Sequence, residues 1–162
     1  MNKAIISKEA MSKQIVLTVG NSMMGDDGAG PLLAEKLKEK PVSGWTVMEG
    51  GAMPEDCLHL IRAAMPERVV VVDAADIGET AGTVRIIDPD TIADMFMVST
   101  HSLPLSFLID ELKTFVPEVV FVGIQPAIVA FSFPLTEMVE EAVTAIYTKL
   151  SDWQGADSFE HC

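Results

Sequence analysis

The chain has 162 residues, of which 49% are hydrophobic and 22% charged, a composition that supports one folded domain with its own core and excludes a disordered chain. Its 24 acidic and 11 basic side chains give a formal net charge of -13, which repels the phosphates of nucleic acids and anionic lipid head groups, so neither is expected as a partner. No apolar run approaches the roughly 20 residues of a membrane-spanning helix, and the first residues lack the apolar stretch of a signal peptide, so we expect a cytoplasmic protein with no membrane partner.

Three regions are expected along the chain. Residues 1–14 are predicted to form a mobile N-terminal extension, residues 15–150 a single α/β domain, and residues 151–162 a C-terminal tail. The two cysteines, Cys57 and Cys162, are too few for a disulfide framework and form no CxxC pair. Neither cysteine therefore predicts zinc binding or redox chemistry.

The first half of the domain alternates strands and helices. Ile15–Val19 is a short apolar run that predicts a buried strand, and the helix after it has Pro31 in its first turn and ends before Pro41. A second strand is predicted over Trp45–Glu49, and Pro54 opens a second helix. That helix carries the apolar residues Leu58, Ile61 and Met65.

The second half begins with Val69–Val72, the strongest strand signal in the chain, which runs directly into Asp73. The connection over residues 74–82 is too short for a crossover helix, so the next strand, Thr83–Ile87, is expected to run antiparallel to the third. A short helix is predicted over Pro89–Phe96 and a fifth strand over Glu118–Ile124. Apolar residues at helical spacing predict two further helices, the first with Leu105, Leu108, Ile109 and Leu112, the second with Met138, Val139, Ala142, Val143 and Ile146.

This alternation predicts an α/β fold, a three-layer α/β/α sandwich around a mixed five-stranded sheet with one antiparallel strand. In open sheets of this kind, ligands bind outside the carboxyl ends of the strands, where the strand order reverses. If strands one and three are neighbours, the loop that begins at Gly20 faces the same crevice as the end of strand three. Asp27 and Asp73 are then expected to meet there.

The loop GNSMMGDDGAG is glycine-rich, but it lacks the Lys and Ser/Thr of a phosphate-binding loop, and its adjacent carboxylates repel phosphate. It suits a cation better. Asp73 follows four apolar residues, where an unpaired buried charge is costly, so a cation, hydrogen-bond donors or a water network is expected beside it. For Asp26, two roles stay open, a cap on the following helix and a functional carboxylate.

His101 lies in STHSLP, just before a predicted helix, whose positive dipole end favours the neutral imidazole that binds metals. Together with two aspartates it forms a ligand set that suits nickel or zinc. The sequence contains no HExxH, GxSxG or DTG motif. Hydrolysis by a zinc-protease, α/β-hydrolase or pepsin-like arrangement is therefore not indicated.

Four segments occur in order along the chain: GNSMMGDDGAG after strand one, VVDAAD after strand three, STHSLPL before a helix, and GIQP after strand five. Together they resemble the hydrogenase maturation endopeptidases, nickel-dependent C-terminal processing proteases, and in particular the branch that acts on the large subunit of hydrogenase 3, the formate hydrogenlyase enzyme. The resemblance runs from about Ile15 to Trp153. It implies a protease domain that removes a C-terminal extension from the nickel-containing precursor of a [NiFe]-hydrogenase large subunit.

The resemblance also implies roles for individual residues. It carries the family's three metal contacts over to Asp27, Asp73 and His101, with nickel supplied by the precursor and serving as the recognition signal. Asp27 or Asp73 would be the catalytic carboxylate that activates water. Gly50 and Gly51 are predicted either to let the substrate backbone approach closely or to form a plain turn.

Two other functions fit the same residues. The acidic pair after strand one and Asp73 after strand three also suit a Mg²⁺-dependent phosphotransfer domain, although the lysine that a response-regulator receiver carries after strand five is missing. Alternatively, the chain is a non-catalytic, chaperone-like binder of the nickel-loaded precursor, which would use the same contacts without hydrolysis.

Overall fold

The computed structural model describes residues 13–88, 105–153 and 158–159. The strands in these ranges are β1 (Gln14–Val19), β2 (Trp45–Gly51), β3 (Arg68–Ala74), β4 (Val84–Ile87) and β5 (Glu118–Ile124). The α-helices in the same ranges are α1 (Ala29–Glu39), α2 (Leu58–Ala64), α3 (Leu105–Lys113) and α4 (Glu137–Leu150), and short 3-10 helices, Gly25–Gly28 and Pro54–Cys57, lead into α1 and α2.

The five strands form one mixed sheet in the order β2-β1-β3-β5-β4. β1 pairs in parallel with both β2 and β3, and β3 pairs in parallel with β5. β4 runs opposite to β3, as the short connection between them predicts, but it pairs with β5 and forms the edge of the sheet. The prediction of a mixed five-stranded sheet with one antiparallel strand is confirmed.

Within the described part of the chain, two helices pack on each face of the sheet. Because side chains alternate along a strand, Val69 and Val71 of β3 pack towards α2 and α3, whereas Val70 and Val72 pack towards α1 and α4. Burial of each such aliphatic side chain stabilises the fold by roughly 1.5–3 kcal/mol before the entropy of ordering is subtracted. The sheet is therefore buried on both faces, which explains the continuous apolar sequence of β3.

Two methionines among the apolar residues assigned to the predicted helices are exposed. Met65 is 80% exposed because α2 ends at Ala64 and Met65 itself adopts a left-handed conformation with φ 51°. Met138 is exposed because it lies one position before Val139, where the buried stripe of α4 begins. One residue along a helix is a rotation of about 100°, which turns Met138 away from the sheet.

The C-terminal segment contacts the domain at its described residues. The Trp153 ring lies edge-on to the Trp45 ring, with 5.7 Å between their centroids, and Phe159 packs against Trp153 at 6.3 Å. Trp45 also donates its indole N–H to the carbonyl oxygen of Leu150 (2.8 Å). These contacts extend the core beyond α4.

The helix predicted over Pro89–Phe96, the turn that holds His101, and residues 1–12 of the predicted N-terminal extension lie outside the described residues. Within the described ranges, none of the helices combines the length and apolar character that crossing a membrane requires.

Candidate active site

The strand order reverses between β1 and β3. From β1 the chain moves to β2 on one side, and from β3 the sheet continues to β5 on the other. Because β1 and β3 are parallel neighbours, their carboxyl ends share one edge, and the Gly25–Gly28 3-10 helix packs against β3 there. Asp27 is 1% exposed and Asp73 is fully buried. The structure thus brings both predicted carboxylates to the point where α/β sheets bind ligands.

Asp27 is positioned by the loop that precedes it. The backbone N–H of Asn21 donates to Asp27 Oδ2 (2.9 Å), and the backbone N–H of Asp27 donates to the carbonyl oxygen of Met24 (3.2 Å). Met24 in turn donates its N–H to the carbonyl oxygen of Asn21 (3.1 Å). A closed set of local hydrogen bonds therefore fixes the direction of the Asp27 carboxylate.

Glycines in this loop permit close packing of the backbone. Gly20 has φ +136°, and a Cβ atom there would lie 2.0 Å from the carbonyl oxygen of Asp27. A Cβ at Gly30 would lie 2.3 Å from the carbonyl oxygen of Val19, where α1 crosses the end of β1. The glycine-rich sequence is thus explained by the approach of the loop and helix to β1, without a bound phosphate.

Asp73 lies within β3, because the strand continues through Ala74 and not only to Val72 as the apolar run indicated. Its Oδ1 atom accepts the backbone N–H of Ala74 (2.8 Å), and its register partner on β5 is Gly123. A Cβ at Gly123 would lie 2.3 Å from the Cδ1 of Ile87. Glycine beside Asp73 therefore lets the edge strand β4 pack closely at this end of the sheet.

Asp26 does not cap the helix that follows it, so the first of the two roles left open by the sequence is wrong. The N-cap of α1 is Gly28, with no side-chain capping bond. The buried Asp26 carboxylate instead accepts the backbone N–H groups of Ala127 (2.8 Å), Ile128 (3.0 Å) and Thr136 (2.7 Å), and the Thr136 hydroxyl as well. It ties the loop after β1 to the loop after β5. Sequence reasoning missed these partners because they lie about a hundred positions away.

Gln125, in the GIQP segment, is a second structural residue that sequence reasoning did not single out. Its Oε1 accepts the backbone N–H groups of Ile77 (2.8 Å) and Glu79 (3.3 Å), and its Nε2 donates to Asp76 Oδ1 (3.3 Å). The side chain thereby holds the loop that follows Asp73. The available signal was a polar residue directly after a buried strand, the same signal that selected Asp73.

Replacement of Gln125 with alanine is expected to destabilise the fold by about 2 kcal/mol, because the amides of Ile77 and Glu79 lose their acceptor in a partly buried loop. Gln14→Ala is the matched control, since the Gln14 side chain bonds the exposed carbonyl of Gly44 and the guanidinium of Arg68, which keeps its ion pair with Glu118. It should cost less than about 1 kcal/mol. Urea unfolding measures both changes. Equal losses for the two variants would show that Gln125 has no special role.

Gly50 and Gly51 differ in their surroundings. The β1–β2 register shifts so that Val19 pairs with Gly51 and skips Gly50, and a Cβ at Gly50 would lie 2.8 Å from the carbonyl oxygen of Thr18. Gly51 has φ +57° with open space around its Cβ position. Gly50 therefore has an internal packing reason to be glycine, and a role of either residue in substrate binding stays a prediction.

The remaining candidates add little chemistry to the described part of the site. His101 lies outside the described residues, and within those residues no three His, Cys, Asp or Glu side chains form a group able to hold a metal ion. Burial raises the pKa of the Cys57 thiol, and the neighbouring Asp56 carboxylate raises it further. Because the thiolate is the nucleophilic form, Cys57 is poorly suited to attack a peptide bond.

Comparisons with known proteins agree on one family. A family model described as hydrogenase maturation protease matches residues 31–153, more than half of the chain. The hydrogenase 3 maturation protease of Escherichia coli K12 is 52% identical over 145 residues, which cover 90% of this chain and 93% of that protein.

Solved structures show the same similarity. A crystal structure of a hydrogenase 3 maturation protease superposes with a TM-score of 0.87 at 49% identity, covering 94% of this chain and 97% of the other. The solution structure of the endopeptidase HycI from Escherichia coli superposes with a TM-score of 0.86 at 50% identity, covering 93% and 96%. This chain is therefore a member of the hydrogenase maturation protease family, and it is a peptidase.

Proposed function

We propose that this chain removes a C-terminal extension from the precursor of a [NiFe]-hydrogenase large subunit of the hydrogenase 3 type, and that nickel in the precursor is the recognition signal. The convergence of the buried Asp27 and Asp73 carboxylates at the point where strand order reverses carries the proposal. The 52% identity to a protein named hydrogenase 3 maturation protease supports this choice of substrate.

In the proposed mechanism, the nickel arrives as part of the substrate and is contacted by Asp27, Asp73 and His101. The Asp27 carboxylate accepts the backbone N–H of Asn21, and the Asp73 carboxylate accepts the backbone N–H of Ala74. Both carboxylates therefore keep a fixed orientation while the precursor docks. A carboxylate that is not fully engaged by the metal takes the proton of the water that attacks the scissile carbonyl carbon, and it gives that proton to the leaving amine when the C–N bond breaks. Holding the scissile peptide next to that water supplies much of the rate enhancement.

The two alternative functions are not favoured. A chaperone-like binder and a Mg²⁺-dependent phosphotransfer domain would each use the two aspartates at the carboxyl ends of the strands, but the family and the relatives described above are proteases. The cytoplasmic location stays a prediction from the sequence.

Incubation of the purified chain with nickel-loaded and nickel-free precursor, followed by mass spectrometry of the products, tests the proposal. We expect the loaded precursor to lose its C-terminal peptide and the nickel-free precursor to stay intact. If the loaded precursor also stayed intact, the protease assignment to this substrate would be wrong. Equal cleavage of both forms would disprove nickel recognition but not proteolysis.

A further inference from the structure

An uncharged segment lies beside the candidate site. No residue from Gln125 to Thr136 carries a charged side chain, although 22% of the chain is charged. Within it, Ile128 is 41% exposed, Phe131 65% and Phe133 51%. Exposed aromatic and aliphatic side chains concentrated in one segment are typical of protein interaction surfaces.

A second loop extends this surface. The backbone N–H of Ser132 donates to the carbonyl oxygen of Met23 (2.8 Å), and the Met23 side chain is 56% exposed. Ser132 adopts φ +67°, and the N–H of Phe133 donates to the carbonyl oxygen of Ala130 (3.2 Å), so a tight turn lies between the two phenylalanines. The exposed side chains of Met23, Ile128, Phe131 and Phe133 are here called the apolar rim.

The apolar rim is attached directly to the turn that carries Asp27. The backbone N–H of Asp26 donates to the carbonyl oxygen of Ile128 (2.8 Å), and the Asp26 carboxylate accepts the Ile128 N–H in return (3.0 Å). The loops are so close that a Cβ at Gly25 would lie 2.6 Å from the carbonyl oxygen of Ile128. These bonds hold the rim in place before any partner binds, which lowers the entropic cost of association.

We propose that the apolar rim is the docking surface for the hydrogenase large-subunit precursor, and that it takes an uncharged, apolar segment of the precursor next to the scissile extension. This inference rests on the proposed function. Continuity with Asp27 favours the precursor over a second copy of the chain, because a second copy seated there would cover the carboxyl end of the sheet, where Asp27 and Asp73 lie. The absence of charge from the rim favours an apolar segment, since a basic one would be drawn to the acidic remainder of the surface.

The test replaces both phenylalanines, Phe131→Ser with Phe133→Ser. The matched control replaces two exposed apolar side chains elsewhere, Leu60→Ser with Met65→Ser. For cleavage of the nickel-loaded precursor, the rim variant should show a KM raised about 10-fold with kcat changed less than about 2-fold, whereas the control should behave as the unmodified chain. Because all four side chains are exposed, thermal unfolding should change little in either variant.

Binding of the same precursor is also measured without cleavage, on chains that carry Asp73→Asn. The rim variant should bind about 10-fold more weakly than its parent. If cleavage fails in every chain but the rim variant loses binding, the proposed function is wrong and the docking surface stands. An unchanged KM and an unchanged dissociation constant would overturn the docking surface and leave the proposed function intact. If the chain self-associates, and the rim substitutions abolish this self-association without changing KM, the rim binds a second copy of the chain instead.

Discussion

Asp73→Asn is expected to reduce cleavage of the nickel-loaded precursor by at least about 100-fold, the range typical for loss of a catalytic carboxylate. Asparagine keeps the shape of the side chain and an oxygen that accepts the Ala74 N–H, so the fold should persist. It removes the negative charge that the proposed nickel contact and proton transfer need. Asp27→Asn should reduce cleavage to a similar extent. Its side-chain oxygen can still accept the Asn21 N–H, so this variant should also keep its fold.

The matched control is Asp110→Asn, an exposed carboxylate on α3, which should leave cleavage unchanged. Initial rates from mass spectrometry and circular dichroism spectra of all three variants provide the comparison. Normal cleavage by both Asp27→Asn and Asp73→Asn, with an intact fold, would show that the reaction takes place elsewhere.

Gly20→Ala is expected to destabilise the chain by about 3 kcal/mol or more, the largest stability effect that we predict for a single methyl group here. The added Cβ would lie 2.0 Å from the carbonyl oxygen of Asp27, at a backbone φ of +136° that alanine rarely adopts. The loop must therefore move, and Asp27 moves with it. Protein that still folds should cleave precursor poorly.

Gly51→Ala is the control for Gly20→Ala. Gly51 also has a positive φ, +57°, but its Cβ would meet no atom within 4 Å, so the expected cost is the strain of the left-handed conformation alone, about 1 kcal/mol. Urea unfolding of the two variants separates strain from collision. Equal destabilisation would show that the loop relaxes around the new methyl group at no extra cost.

The sequence predicted those parts of the fold whose causes are local. Val69–Val72 forms a buried strand because β-branched residues suit a sheet covered on both faces, and the short connection after Asp73 required a change of strand direction. The neighbouring positions of β1 and β3 followed from the common order of such sheets. Once β1 and β3 are taken as neighbours, Asp27 and Asp73 are expected at the same end of the sheet, and the structure places them there.

What the sequence could not predict depends on contacts between distant segments. For Asp26, the sequence offered a local cap or a functional carboxylate, because nothing near it in the chain indicates that the amides of Ala127 and Ile128 are its partners. The role of Gln125 in holding the Ile77 amide is hidden for the same reason. The roles of Asp27, Asp73, His101, Gly50 and Gly51 in binding and catalysis stay predictions.

Both tryptophans of the chain, Trp45 and Trp153, belong to a single ring pair. Trp45 begins β2, which is parallel to β1, so the pair lies where the parallel strands begin. Asp27 and Asp73 lie at the opposite end, where the parallel strands finish. The tryptophan fluorescence of the protein therefore originates at the other end of the sheet from the candidate site, and it reports how Trp153 packs on Trp45. Tryptophan emission spectra therefore measure whether the whole domain is folded. Substitutions of Asp27 or Asp73 should not change these spectra directly.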